Sequence, residues 1–431
     1  MVIALYQLLL WLALPFAVGY HWYRSVSRGR RAAFAERFGW LPKEAEKKLT
    51  GHPAIWLHAV SVGEVIAARP LIAGIRQQYP GHRLVLSVTT ETGRTVAENS
   101  QQADLVIYFP FDIGPAVRRI ISAVSPSFVI VMETELWPVF INEVSRRGIP
   151  LFLANGRISD RSFSRYRRLA WFFHPLLQKF SWLGMQTETD RERIIATGAP
   201  ADRTHVLGNL KYDIPSGHVS LDQKQTLRRR YSLPDHGLVF TAASTHPGEE
   251  QQLLEVWREL AGQHPETCFV LVPRHPERAT EVALMAEQYG FRCRRRTSLV
   301  SGTSQPLDSN ELLLVDTVGE LGTIYQLSDL VFVGGSLVPT GGHNLLEPAA
   351  AGIPSLFGPH MNNFREVATL VLHYGAGVQV ADPTELLDAA RDFLASPDLR
   401  QVIGGNGLKL MRNAGGASQR YLAHLERTLA S

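Results

Sequence analysis

Cysteine is almost absent from this chain: Cys268 and Cys293 are the only two in 431 residues. That excludes a disulfide framework and a cysteine-based metal site, and it points to a reducing compartment. There is no G-x-x-x-x-G-K-[ST] phosphate loop, no H-E-x-x-H, no cysteine and histidine zinc spacing and no G-x-S-x-G elbow. A D-x-D pair of the kind that clamps a metal on a nucleotide diphosphate is missing as well. Metal-independent group transfer therefore stands ahead of phosphoryl transfer and metal-assisted hydrolysis. Charge is sparse too, at 19% of residues against 45% hydrophobic, which marks a globular chain. A formal charge of +4 argues against wholesale nucleic-acid binding. The basic residues cluster, however, at Arg24, Arg28, Arg30 and Arg31 and again at Arg157, Arg161, Arg165, Arg167 and Arg168. Such clusters suit an anionic surface or a solvated helix face.

The amino terminus carries the long apolar run. No charged residue occurs from Val2 to Val18, and at ~1.5 Å per residue this is about 25 Å of helix, slightly short of a roughly 30 Å hydrocarbon core. Tyr20, Trp22 and Tyr23 extend it into an aromatic belt. Ala17, Val18 and Gly19 have the small side chains of a cleavage site, but the arginines follow the run instead of preceding it. The reading is a single anchor helix over residues 1–23, with the body of the protein on the cytoplasmic side.

Beyond it, short apolar runs alternate with helical patterns. Strands are predicted at 54–60, 83–90, 104–111, 127–136, 150–156, 181–188 and 204–209, and then at 238–244, 268–274, 311–317, 329–335 and 354–359. Strand followed by helix, repeated, is the pattern of right-handed crossovers onto a parallel sheet. Two Rossmann-like halves are expected, 24–215 and 216–431, joined near residue 215, with ligands at the strand ends and in the cleft between. Segment 297–310 is polar and reads as a loop.

Strand ends carry the candidate chemistry. Residues 334–360, GGSLVPTGGHNLLEPAAAGIPSLFGPH, run from a strand end through a glycine loop to a helix start. Gly341 and Gly342 permit a tight turn, Asn344 is a good cap, and the N-terminus of the helix through Leu345, Leu346 and Glu347 favours phosphate. The Asn344 and Glu347 spacing equally fits a capping box, which needs no ligand. Glu64 in HAVSVGE stands just after the first strand, as a general base for an acceptor hydroxyl or as the partner of Ser61 in a capping box. Glu133 and Glu135 in METELWP fall on one face if the strand is regular. Lys211, Arg274 with His275, and the turn Val318, Gly319 and Glu320 complete the set.

HAVSVGE, METELWP, NGRISDRSFSRY, GNLKYD, STHPGEE, VPRHPER, DTVGELG and GGSLVPTGGHNLLEPA occur here in the order seen in 3-deoxy-D-manno-octulosonic acid (Kdo) transferases, which the chain resembles from the apolar helix nearly to its carboxyl end. The resemblance implies an α/β GT-B fold, two Rossmann-like domains in which the first binds acceptor and the second a CMP-sugar. It implies transfer of Kdo from CMP-Kdo to a tetraacylated lipid A precursor in lipopolysaccharide synthesis, at the cytoplasmic face of the inner membrane. By motif, Glu64 is the catalytic base, and Glu133 and Lys211 support the transition state. CMP lies against Pro273 and Arg274, against Val318, Gly319 and Glu320, and against Asn344, Leu345, Leu346 and Glu347. No metal and no cofactor besides the donor is implied. Many members have proline where this chain has Leu345, with little expected consequence. The alternatives are a GT-B transferase using another nucleotide sugar, or a membrane-anchored nucleotide-binding protein without catalysis. The arginines of RISDRSFSRYRRLAWFFHPLLQKF, with Phe163, Trp171, Phe172 and Phe173, are expected to meet a lipid surface or to join the core.

Overall fold

The computed structural model describes residues 2–27, 33–214, 220–299 and 305–430. It divides into two compact units, Met1–Asp213 with Ala414–Ser431, and Ile214–Asn413. The last residues thus belong to the first unit and not, as expected, to the second. Arg28, Arg30 and Arg31, the junction at residue 215 and part of the polar segment 297–310 lie outside the described residues.

The first unit is built on seven parallel strands: β1 (Ala54–His58), β2 (Arg83–Val88), β3 (Leu105–Tyr108), β4 (Pro126–Met132), β5 (Leu151–Gly156), β6 (Trp182–Met185) and β7 (Thr204–Val206). Their order is β3-β2-β1-β4-β5-β6-β7. The strand order reverses between β1 and β4, whose carboxyl ends therefore flank the crevice where doubly wound sheets bind ligands. β1 and β4 are apolar because helices cover both faces. Trp56 of β1 is fully buried against Phe140, with ring centroids 5.0 Å apart. Its indole donates to Ser87 Oγ at 2.7 Å, so the polar tip is satisfied inside the core. Helix Ala417–Ala430 returns to this unit. The buried Tyr421 hydroxyl accepts from Asn155 N at 2.9 Å and lies 3.1 Å from the Gly184 carbonyl, to which it donates.

The second unit has β8 (Val239–Thr245), β9 (Cys268–Pro273), β10 (Arg292–Arg295), β11 (Glu311–Leu314), β12 (Leu330–Val333), β13 (Ser355–Phe357) and β14 (Gly377–Gln379). The order is β10-β11-β9-β8-β12-β13-β14. Trp257 stacks on Phe269 in its core. The two outermost strands escaped sequence reading for a physical reason: β10 is Arg-Cys-Arg-Arg and β14 only three residues, and edge strands need neither an apolar run nor alternation. The predicted strands that did form run two to four residues shorter at several carboxyl ends, where the chain turns into the loops that carry the site.

The apolar amino terminus does form a helix, Val2–Ser27. The spanning anchor is nevertheless corrected, because among the described residues no helix is long and apolar enough to cross a membrane. The helix also has a docked face. Tyr6 packs on the first unit's core beside Phe172, and its hydroxyl hydrogen-bonds Asp112. Leu8, Leu9, Leu12 and Phe16 are exposed. Asp112 itself accepts from Val139 N at 2.9 Å and Phe140 N at 2.8 Å, anchoring the start of helix Pro138–Arg146. Burial pushes its carboxyl up to about 7, with the bonds from Val139, Phe140 and Tyr6 opposing the rise. The predicted lipid-facing aromatics divide: Phe163, Phe172 and Phe173 pack against the core, and Trp171 is exposed.

Candidate active site

Three carboxylates gather at the ends of β1 and β4. Glu64 lies in the first turn of helix Val62–Gln78, which Ser61 caps by accepting from Glu64 N at 3.4 Å. The carboxylate folds back to accept from Val60 N at 2.9 Å and from Ser61 Oγ at 2.9 Å. The capping role read from the sequence is real, and it fixes the carboxylate in place. Glu64 is nonetheless raised above the ordinary carboxylate range, first by burial and also by the neighbouring Glu133 charge, while the Val60 and Ser61 bonds pull it down. A raised carboxylate is a better proton acceptor than a free glutamate.

Glu133 and Glu135 do not share a strand face as expected. β4 ends at Met132, and Glu133 has φ +52°, a left-handed conformation that a side chain adopts at a cost of about 1–3 kcal/mol. The turn still keeps both near Glu64. Glu135 is pushed up to about 7 by burial, then by Glu64 and Glu133. Lys211 Nζ approaches Glu133 Oε1 at 3.6 Å. Asn155, at φ +58° in β5, holds the Lys211 segment by accepting from Leu210 N at 3.0 Å. One cation and three crowded carboxylates form a site that can take a proton and place a positive charge beside it.

The second unit places its candidates after the carboxyl ends of three strands, β9, β11 and β12. Val318, Gly319 and Glu320 follow β11, Pro273 ends β9 with Arg274 next, and Asn344 follows β12. Val318 and Arg274 are exposed. Glu320 is committed to the fold: its Oε1 accepts from Tyr231 Oη at 3.0 Å and from Arg296, and Thr317 donates to Oε2. Burial would raise it, but those bonds prevail and hold it below the ordinary range. Leu345 and Leu346 point inward, fully buried, so their side chains are withdrawn from any ligand. Leu345 has φ −81°, close to the value a proline would impose there. Asn344 Oδ1 accepts from Leu346 N at 3.1 Å and its amide donates to Glu347 Oε1 at 3.3 Å, but the N-cap is Leu345, so the reciprocal capping box read from the sequence is replaced by a contact between the two side chains.

The helix, Leu346–Ala350, has only five residues and a correspondingly small dipole. At the start of the preceding loop, fully buried Glu249 accepts from Gly335 N at 2.7 Å, Ser336 N at 3.1 Å and Leu337 N at 3.0 Å, and it also accepts from His246 N at 3.2 Å after β8. A carboxylate of this chain therefore fills the turn immediately after β12, ahead of Gly341 and Gly342. Sequence reading missed Glu249, because a glutamate in a first helical turn looks like any dipole-stabilising residue.

Two doubly wound parallel sheets, the first with three carboxylates and a lysine at its switch point, are the arrangement of the GT-B fold. The fold is similar to that of UDP-GlcNAc 2-epimerase from Neisseria meningitidis, with TM-score 0.55 and 15% identity over 87% of this chain and 100% of that one. Residues 32–214 match the family described as 3-deoxy-D-manno-octulosonic-acid transferase (kdotransferase). The chain is 34% identical to the 3-deoxy-D-manno-octulosonic acid transferase of Haemophilus influenzae, covering 91% of this chain and 90% of the relative. It is 31% identical to that of Bordetella pertussis, over 90% of each. The chain belongs to the Kdo transferase family and is a glycosyltransferase.

Proposed function

We propose that this enzyme moves Kdo from CMP-Kdo to a tetraacylated lipid A precursor in lipopolysaccharide inner-core synthesis, by a metal-independent, inverting displacement. The acceptor hydroxyl oxygen attacks the anomeric carbon, its proton passes to Glu64, and the bond from that carbon to the phosphate oxygen breaks with its electron pair leaving on CMP. A phosphoester already carries a good leaving group, so one base suffices where a glycosidase needs two carboxyls. The observation that carries this reading is Glu64, held by two hydrogen bonds and made more basic by burial. Glu133 and Lys211 stabilise charge beside it. In the second unit, Pro273 and Arg274, Val318, Gly319 and Glu320, and Asn344 through Glu347 hold CMP. The exposed Leu8, Leu9, Leu12 and Phe16, with Trp171 and the nearby arginines, support a first unit that works at the cytoplasmic face of the inner membrane, where a lipid acceptor is confined.

Glu64→Gln tests the base. With CMP-Kdo generated in situ and a lipid A precursor as acceptor, we expect turnover to fall at least about 10²-fold with CMP binding nearly unchanged. An active but destabilised variant would leave Glu64 as a helix cap alone.

A further inference from the structure

Two imidazoles meet where the ends of β8 and β12 adjoin. His246 follows β8 and His343 lies in the glycine loop after β12, and their Nε2 atoms are 2.8 Å apart. The rings are nearly parallel, with an interplanar angle of 11°. At that distance one ring donates and the other accepts, so the pair shares a single hydrogen. His275, after β9, stands 6.0 Å from His246 between ring centroids. His343 is drawn down to about 4 by burial, then by His246, Arg274 and His275. His246 is lowered by burial, then by His275, Arg274 and Arg278. The pair is therefore neutral near pH 7 and sits beside the exposed Arg274, while Arg278 is paired with Glu250 and with Glu281, each at 2.8 Å. The carboxylates nearby are engaged elsewhere, Glu249 on backbone N–H groups and Glu277 on His275 at 3.4 Å. Gly335 makes room for the pair: at φ +65°, a Cβ there would stand 3.2 Å from Cδ2 of both rings.

We propose that the His246 and His343 pair is the subsite for the carboxylate of the donor sugar. This rests on the reading that the second unit binds CMP-Kdo. An ulosonic acid carries its carboxylate on the same anomeric carbon that bears the phosphate, so the two anions lie one bond from a common atom. A phosphate held by Arg274 and the segment from Asn344 puts the carboxylate beside His343, the residue next to Asn344. Two neutral rings, each with its hydrogen on Nε2, present two converging donors to the two carboxylate oxygens. The hydrogen bond between the rings in the empty site is exchanged for two bonds to an anion. The pair also discriminates chemically, since a nucleotide sugar without a carboxylate leaves those donors unmatched.

His246→Ala and His343→Ala separate this subsite from the nucleotide site. In the transfer assay each variant should raise KM for CMP-Kdo by roughly ten- to a hundredfold, while the inhibition constant of CMP alone stays within about twofold. His343→Gln, which keeps an N–H donor, should recover part of the loss, and its unchanged CMP inhibition guards against misfolding. A parallel rise in the CMP constant would assign the histidines to phosphate and overturn the proposal. So would an unchanged KM, which would leave them as a pin for the glycine loop. If CMP fails to inhibit the wild-type enzyme at all, the donor reading itself falls, and the subsite with it.

Discussion

Replacing Glu249 by glutamine exchanges one oxygen of a fully buried carboxylate for an NH2 group. The carboxylate receives four backbone N–H groups, two on each oxygen: Gly335 and His246 on Oε2, Ser336 and Leu337 on Oε1. The amide keeps one oxygen and one pair of bonds. Its nitrogen then turns two hydrogens toward two buried N–H donors that have no other acceptor. Hydrogen bonds to a charged acceptor contribute about 1.5–3 kcal/mol each, so two lost bonds cost roughly 3–6 kcal/mol. Relief of the desolvated charge, which raises Glu249 above the ordinary carboxylate range, returns part of this. About 3 kcal/mol is the working value, and in a unit of some 200 residues it lowers the melting temperature by roughly 6–12 °C. The assay is thermal unfolding of the full chain together with amide hydrogen exchange over residues 334–342. The expected result is an earlier transition and lost protection at Gly335, Ser336 and Leu337. Glu249→Gln protein with unchanged melting and unchanged exchange would refute the argument, because the loop would then be held by its own turns.

Three further outcomes follow from the first unit. Asp112 is pushed up to about 7 from 3.8, so the native state holds its proton where the unfolded chain has released it; its stabilising contribution is full below about pH 4 and is lost as pH rises to about 7. Three units correspond to about 4 kcal/mol, so denaturant titrations from pH 4 to pH 8 should show this slope in the wild type and a flatter profile in Asp112→Asn. Tyr421→Phe strands the buried Asn155 N–H and should cost about 1–3 kcal/mol in urea unfolding; a change under about 0.5 kcal/mol would contradict that bond's role. Lys211→Met removes a cation that is substantially exposed, so stability should move by less than about 1 kcal/mol while transfer slows at least tenfold; equal activity would remove Lys211 from the chemistry.

Much of the architecture was legible because buried parallel strands form nearly continuous apolar runs, as AIWL and FVIVM are. Strand ends were harder, since the residues that leave a sheet obey loop chemistry; Glu133 turns left-handed one residue after β4, and no periodicity announces that. Glu64 was visible in both of its guises, and the structure realises the cap that the Ser61 spacing suggested. Glu249 and the pair of His246 with His343 were out of reach. Their meaning depends on partners 86 to 97 residues away along the chain, and one sequence says nothing about which distant loops meet. The apolar amino terminus misled in the opposite way: its length and composition were read as a span, while Tyr6 docks one face through Asp112.

Helix Ala417–Ala430 carries a consequence for how the protein is made. Its Ala417, Tyr421 and Leu425 cover the apolar face formed by Phe152, Trp182 and Leu207, and Tyr421 is 266 residues beyond the Asn155 amide it receives. At a synthesis rate of about 5–20 residues per second, roughly 13–53 s separate the two. The second unit, Ile214–Asn413, is contiguous and is finished in that interval. The first sheet therefore waits on the ribosome with one apolar face open, and the domain begun first is the one completed last.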